Sequence, residues 1–149
     1  MEEIGPSSLG AADKDAVYYT LLPVFTSRSR IMTPVDNDKI VMRPVISKTE
    51  ASKIMRSIAS IECLTVEDEK FRENTYKEVV KSCDCRNIIG MLKAIEVRRQ
   101  ERIAIGKKVT ANDEKYFNLA IDKLSGEFAI ALNKDKDEVK VMVTEKVRK

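Results

Sequence analysis

The strongest constraint in this chain is a change of hydrophobic period near Ser47. Before that point, apolar and β-branched residues come in short runs broken by Gly, Pro, Asp and Asn, which is the pattern of strand and turn. After it they recur at three- and four-residue spacing, the pattern of helices that bury one face. A chain carrying the two patterns in separate halves is expected to fold as α+β, with strands and helices segregated along the sequence. The expected domains are a β-rich segment, 1–46, and a helical segment, 47–149.

In the first segment, Ala16-Val17-Tyr18-Tyr19-Thr20-Leu21-Leu22 reads as a strand limited by Pro23. Alternation places one of Tyr18 and Tyr19 in a core. From Arg28 to Thr33 the chain alternates again, with Arg30 and Met32 on one face and Ile31 and Thr33 on the other. Asp36-Asn37-Asp38 is a turn signal, and Ile40-Val41-Met42-Arg43 is a candidate third strand. Gly5-Pro6-Ser7-Ser8-Leu9-Gly10 is turn-forming and lacks the spacing of a phosphate loop. Three short strands are too few to close a small barrel.

In the second segment, Ser47-Lys48-Thr49-Glu50 matches a capping box, followed by Ile54, Met55, Ile58 and Ile61 at helical spacing. A second helix is expected from about Glu67 to Lys81, with Phe71, Tyr76, Val79 and Val80 as its apolar members. Glu67-Asp68-Glu69 then reads as first-turn acids favoured by the helix dipole. A third helix, from about Cys85 to Ile105, carries the stripe Ile88, Met91, Leu92 and Ile95 and stops at Gly106. Thr110 caps a fourth helix that presents Phe117, Ala120, Ile121, Leu124, Phe128, Ala131 and Leu132. The charged stretch from Glu138 to Lys149 is a candidate fifth helix. Met91 and Met142 read as core filler.

Composition narrows the chemistry. The chain has 27 Lys+Arg, 24 Asp+Glu and no His. Without imidazole there is no Ser-His-Asp triad, no Cys-His pair and no His metal ligand. Carboxylate, Lys and Tyr catalysts remain, but no convergent set points to one, so a non-enzyme with no cofactor is expected. Cys83-Asp84-Cys85 is a weak metal signal, because zinc takes about four ligands; two incidental thiols at a helix boundary are the simpler reading. Cys63 makes the count odd, which suits reduced thiols. There is no run of 18 apolar residues and no basic-then-apolar leader pattern, so a cytoplasmic protein without a membrane span is expected.

The charge is uneven. Residues 1–46 hold five basic and six acidic residues, whereas 47–149 hold 22 and 18. Between Lys93 and Lys108 the bases Lys93, Arg98, Arg99, Arg102, Lys107 and Lys108 face only Glu96 and Glu101. Such a patch can track phosphates by counterion release. The simpler reading of the run alone is a solvated helix end, since cations near a helix C-terminus gain about 0.3–1 kcal/mol each from the dipole.

The order and spacing of several short motifs add to this. Tyr18-Tyr19-Thr20-Leu21-Leu22-Pro23-Val24, then Thr33-Pro34-Val35-Asp36-Asn37, then Met42-Arg43-Pro44-Val45-Ile46-Ser47 closely resemble the CarD/CdnL family of bacterial transcription regulators, Firmicute type. The likeness continues through Asp68-Glu69-Lys70-Phe71-Arg72, Tyr76-Lys77-Glu78, Arg98-Arg99-Gln100-Glu101-Arg102 and the stretch Thr110 to Tyr116, and it spans about residues 16–132. The resemblance implies a Tudor/SH3-like barrel that binds the β-subunit lobe of RNA polymerase. It also implies a helical domain of four to five helices that contacts promoter DNA without reading sequence, so that the two stabilise the open complex. The polymerase-facing strand would be Arg30, Ile31, Met32 and Thr33, pairing by strand addition. The family's DNA-facing bases map near Lys70, Arg72, Arg99, Arg102 and Lys115. With the basic run, the candidate DNA-binding set is Lys70, Arg72, Arg98, Arg99, Arg102, Lys107, Lys108 and Lys115.

Two features differ from the relatives. Many carry a Trp wedge near the start of the second helix; this chain has no Trp, and Leu64 and Thr65 lie near that place, leaving phosphate contact. Relatives also begin with an additional strand-turn segment. The barrel expected here is therefore partial, with an open edge that invites self-association. The alternative function is a protein-interaction adaptor that uses the helical domain without direct DNA binding.

Overall fold

The computed structural model describes residues 3–6, 17–25 and 29–148. It is α+β, and its contacts divide it into two units, Met1–Val41 and Met42–Lys149.

The first unit holds a three-stranded antiparallel sheet in the order β1 (Glu3–Pro6), β2 (Val17–Leu21), β3 (Ile31–Pro34). Tyr19 lies opposite both Ile4 and Thr33. The strand expected at Ala16 to Leu22 is present as β2, and the one expected from Arg28 to Thr33 is described from Ile31 as β3; Ala16 and Arg28 lie outside the described residues. The first strand was not legible as one. Gly5 and Pro6 look like a turn in sequence, but Pro6 sits at the end of an edge strand, where a missing N–H is tolerated. Ser7 to Gly10 lie outside the described residues.

Two expectations fail here. Ile40 to Arg43 form no strand. Tyr18 and Tyr19 are both half-buried, and among the residues of β2 and β3 the buried side chains are Thr20 and Thr33. Among the described residues the sheet is open, and β3 is an edge on which Ile31 and Met32 are exposed.

The second unit is helical: α1 (Lys48–Ser57), α2 (Arg72–Ser82), α3 (Cys85–Ala104), α4 (Ala111–Leu132) and α5 (Lys136–Arg148). The caps explain the starts. Ser47 Oγ accepts from Glu50 N, Asp84 accepts from the Arg86 and Asn87 amides, and Thr110 Oγ1 accepts from Asp113 N. The Glu50 carboxylate contacts Arg86 across the unit at 3.5 Å.

Ends follow the left-handed region: Cys83 (φ 54°), Gly106 (φ 74°) and Asn133 (φ 53°). The second helix begins later than expected. Glu69–Phe71 is a 3-10 turn opened by Asp68, whose carboxylate takes the Lys70 amide, and Phe71 is exposed rather than an apolar core member.

The core is one cluster. α3 gives Ile88, Met91, Leu92 and Ile95; α4 gives Ala120, Ile121, Leu124 and Phe128; α5 gives Val139, Val143 and Val147 at four-residue spacing. Burying each such aliphatic side chain is worth roughly 1.5–3 kcal/mol.

The connection from α1 to α2 is fastened to α3. The Lys93 ammonium donates to the carbonyls of Ile58, Ala59 and Ile61. Leu64 N donates to Gly90 O at 3.0 Å, and the Glu62 carbonyl oxygen sits where a Cβ on residue 90 would come 2.7 Å from it, which only a glycine allows.

Residues 42–46 belong with the helices. Arg43 makes a bidentate pair with Glu127 (2.6 and 2.8 Å) and donates to Cys83 O, and Ile46 N donates to the same carboxylate. Glu127 is what raises the Arg43 pKa. These interactions explain why Arg43 is not in a strand and why the units divide a few residues before Ser47. Among the described residues no helix is long and apolar enough to cross a membrane.

Candidate functional site

Two of the predicted DNA-binding cations, Arg72 and Arg98, are partners in a closed ring of side chains that joins α2, α3 and α4. Arg72 Nε and Nη2 donate to Glu69 at 2.9 and 2.6 Å. Arg98 Nη1 donates to the same carboxylate at 3.0 and 2.8 Å. Arg98 Nε lies 2.8 Å from Asp113 Oδ2, an ion pair outside hydrogen-bond geometry, with both atoms buried. Asp113 Oδ1 accepts from Tyr76 Oη at 3.0 Å, and that oxygen accepts from Arg72 Nη1 at 3.0 Å.

Two guanidinium groups and two carboxylates leave the ring neutral. Its electrostatics follow from this pairing. The hydrogen bonds from Arg72 and then Arg98 hold the Glu69 carboxyl down at about 2. Glu69 in turn raises Arg72, and burial raises the Tyr76 phenol. Tyr116 packs on Tyr76, ring centroids 5.5 Å apart, and donates to Glu73 at 3.2 Å.

The other predicted cations behave differently. Lys70, Arg102, Lys107, Lys108 and Lys115 form no ion pair among the described residues. Lys70 and Lys115 are exposed, and the Lys115 ammonium lies 5.2 Å from the Tyr116 ring centre. Arg102, Lys107 and Lys108 meet at the α3–α4 corner. There the Arg102 carbonyl takes the Ile105 and Lys107 amides, and Arg102 Nε donates to Lys108 O at 2.7 Å. The corner is thus hydrogen-bonded to itself and carries its charge outward.

Arg99 points elsewhere, toward the buried Glu96, 3.5 Å away. Arg148 of α5 reaches the same oxygen at 3.5 Å. Sequence reading missed Arg148, since a terminal charged stretch gives no sign of where it returns.

The strand residues Ile31, Met32 and Thr33 lie on β3, with Arg30 just before it. The three thiols are free: Cys63 is exposed, Cys83 ends α2 and Cys85 is buried. Burial pushes the Cys85 thiol up to about 11. Among the described residues no three His, Cys, Asp or Glu side chains gather as a metal site. No family model matches the chain, and no curated protein matches it.

Proposed function

We propose that the protein is a bacterial transcription regulator of the CarD/CdnL type, working in the cytoplasm without catalysis. The sheet unit, read as a partial Tudor/SH3-like barrel, would bind the RNA polymerase β subunit. The helical unit would hold promoter DNA by its phosphates and so stabilise the open complex. The order of motifs supports the family. One observation carries the nucleic-acid reading: Arg102, Lys107 and Lys108 crowd one self-bonded corner with no carboxylate paired to them among the described residues. Such a group attracts a polyanion and releases its counterions. Lys70 and Lys115 extend the basic surface, whereas Arg72 and Arg98 serve it indirectly by fixing the helices. On the sheet, β3 offers an edge with unpaired backbone among the described residues, which suits strand addition by a partner.

The test is anisotropy of a labelled duplex titrated with the full chain at several salt concentrations. Affinity should fall steeply with salt. Lys107→Ala/Lys108→Ala should weaken binding and flatten the slope by about 0.9 for each phosphate that is no longer neutralised. Parent and variant binding equally at low salt would defeat the reading. An adaptor role, with the helices binding protein instead, is favoured by the exposed Val97, Ile103 and Ile105 on α3 and its corner. Retention of a polymerase β-lobe fragment without duplex binding would select it.

A further inference from the structure

We infer that a cleft of about 350 Å³ between α3, the start of α4 and the end of α5 is a binding site for a single phosphate group carried on an apolar or aromatic body. The cleft brings together cations from three places in the chain: Arg99 from α3, Lys108 from the α3–α4 connection and Arg148 from α5. Its volume is at the lower end for ligand clefts.

The charges facing the cleft can be accounted for. Asp113 is matched by Arg98 at 2.8 Å. Glu96 is shared: its Oε2 stands 3.5 Å from both Arg99 Nη1 and Arg148 Nε, while its Oε1 takes the Gln100 amide at 2.8 Å. Glu114 is exposed and, like Lys108, forms no ion pair among the described residues. With Asp113 matched by Arg98, three cations face two carboxylates, the shared Glu96 and Glu114, a small positive excess.

Each guanidinium makes one long contact, 3.5 Å, to Glu96, and a guanidinium fork suits phosphate oxygens. The wall beside them is apolar, formed by Ile95, Val109 and Phe117. The Arg148 guanidinium lies 5.6 Å from the centre of the Phe117 ring, which puts a cation beside the apolar wall. A bound phosphate would bridge α5 to α3 and the corner, so occupancy should stabilise the whole unit.

The phosphate can come from a free phosphate ester or from a nucleic-acid backbone, and the experiment separates these. The Tm of the full chain is followed against adenosine 5′-monophosphate, inorganic phosphate and, as control, adenosine. The monophosphate should raise Tm saturably and adenosine should not. Lys108→Ala and Arg148→Gln should each weaken the effect about tenfold, a loss of about 1.4 kcal/mol. Lys108→Ala removes an exposed ammonium with no ion pair among the described residues and guards against any loosening of α5 in the other variant. Displacement of the monophosphate by a short duplex, with duplex affinity also reduced in Arg148→Gln, assigns the site to a backbone phosphate. Binding without displacement assigns it to a free ester. The inference is overturned if Tm ignores both phosphate compounds and duplex affinity ignores Arg148→Gln. It does not depend on the duplex reading: monophosphate binding with no duplex binding would remove that reading alone.

Discussion

Arg98 Nε stands 2.8 Å from Asp113 Oδ2, and the Asp113 side chain is 1% exposed. The pair makes a residue of the basic run into a structural part of the helical unit. Removing one partner of a buried pair leaves an uncompensated charge and costs about 3–5 kcal/mol, more than an exposed pair contributes. Arg98→Ala should therefore lower unfolding stability by about 3 kcal/mol in urea denaturation. Arg98→Met/Asp113→Leu should recover most of that, because the buried charge goes with its partner. A loss below about 0.5 kcal/mol in the single variant, the scale of an exposed pair, would show that the pair does not hold the helices. A DNA-binding assay on Arg98 variants must be read with this loss in mind, and Lys107 and Lys108 are the cleaner probes.

Glu69 sets an acid limit. Its carboxyl is depressed to about 2 by Arg72 and Arg98, against 4.5 for the ordinary group. A depressed folded value contributes stability above the unfolded value and loses it as pH falls through the folded one. The contribution should be complete above about pH 5 and decline between pH 4.5 and about 2. Its size is modest because Glu69 is largely exposed. Thermal unfolding across this range should show a smaller acid loss in Glu69→Gln than in the parent; identical slopes would exclude Glu69 from the acid transition.

Gly90 is needed for a close approach within the helical unit. A Cβ there would come 2.7 Å from the Glu62 carbonyl oxygen, which is backbone and cannot swing aside. Gly90→Ala gains about 1 kcal/mol in helix propensity. It should still destabilise by about 1–3 kcal/mol through overpacking, and exchange of the Leu64 amide should speed up. Unchanged Leu64 protection would mean that the loop tolerates the methyl group.

The three thiols should separate by reactivity. Cys63 is exposed, whereas Cys85 is buried, with its thiol raised to about 11 chiefly by burial. At neutral pH a maleimide or disulfide reagent should label Cys63 first and leave Cys85 unlabelled until the protein unfolds. Peptide mapping of a timed reaction distinguishes them, and early labelling of Cys85 would contradict its burial.

Much of this architecture is local and therefore readable. Ser47, Asp84 and Thr110 cap helices because a short side-chain oxygen beside the first turn needs no distant partner. Gly106 ends α3 through its own backbone freedom. The stripe Ile88, Met91, Leu92 and Ile95 is buried as its spacing requires, since a helix with one apolar face must hide it. The α+β division follows from the change of period at Ser47. The strand from Ile40 to Arg43 fails because Arg43 finds Glu127, 84 residues away, which no local pattern reveals.

The fate of the cations depends on the same distinction. Sequence alone establishes how many positive groups the helical half carries and that they crowd between Lys93 and Lys108. Only the tertiary structure decides which of them meet acids. Arg98 meets Glu69, 29 residues away, because α2 and α3 pack side by side; Lys107 and Lys108 lie on a corner where no acid pairs with them among the described residues. Charge is a property of each residue, but its neutralisation depends on which helices touch.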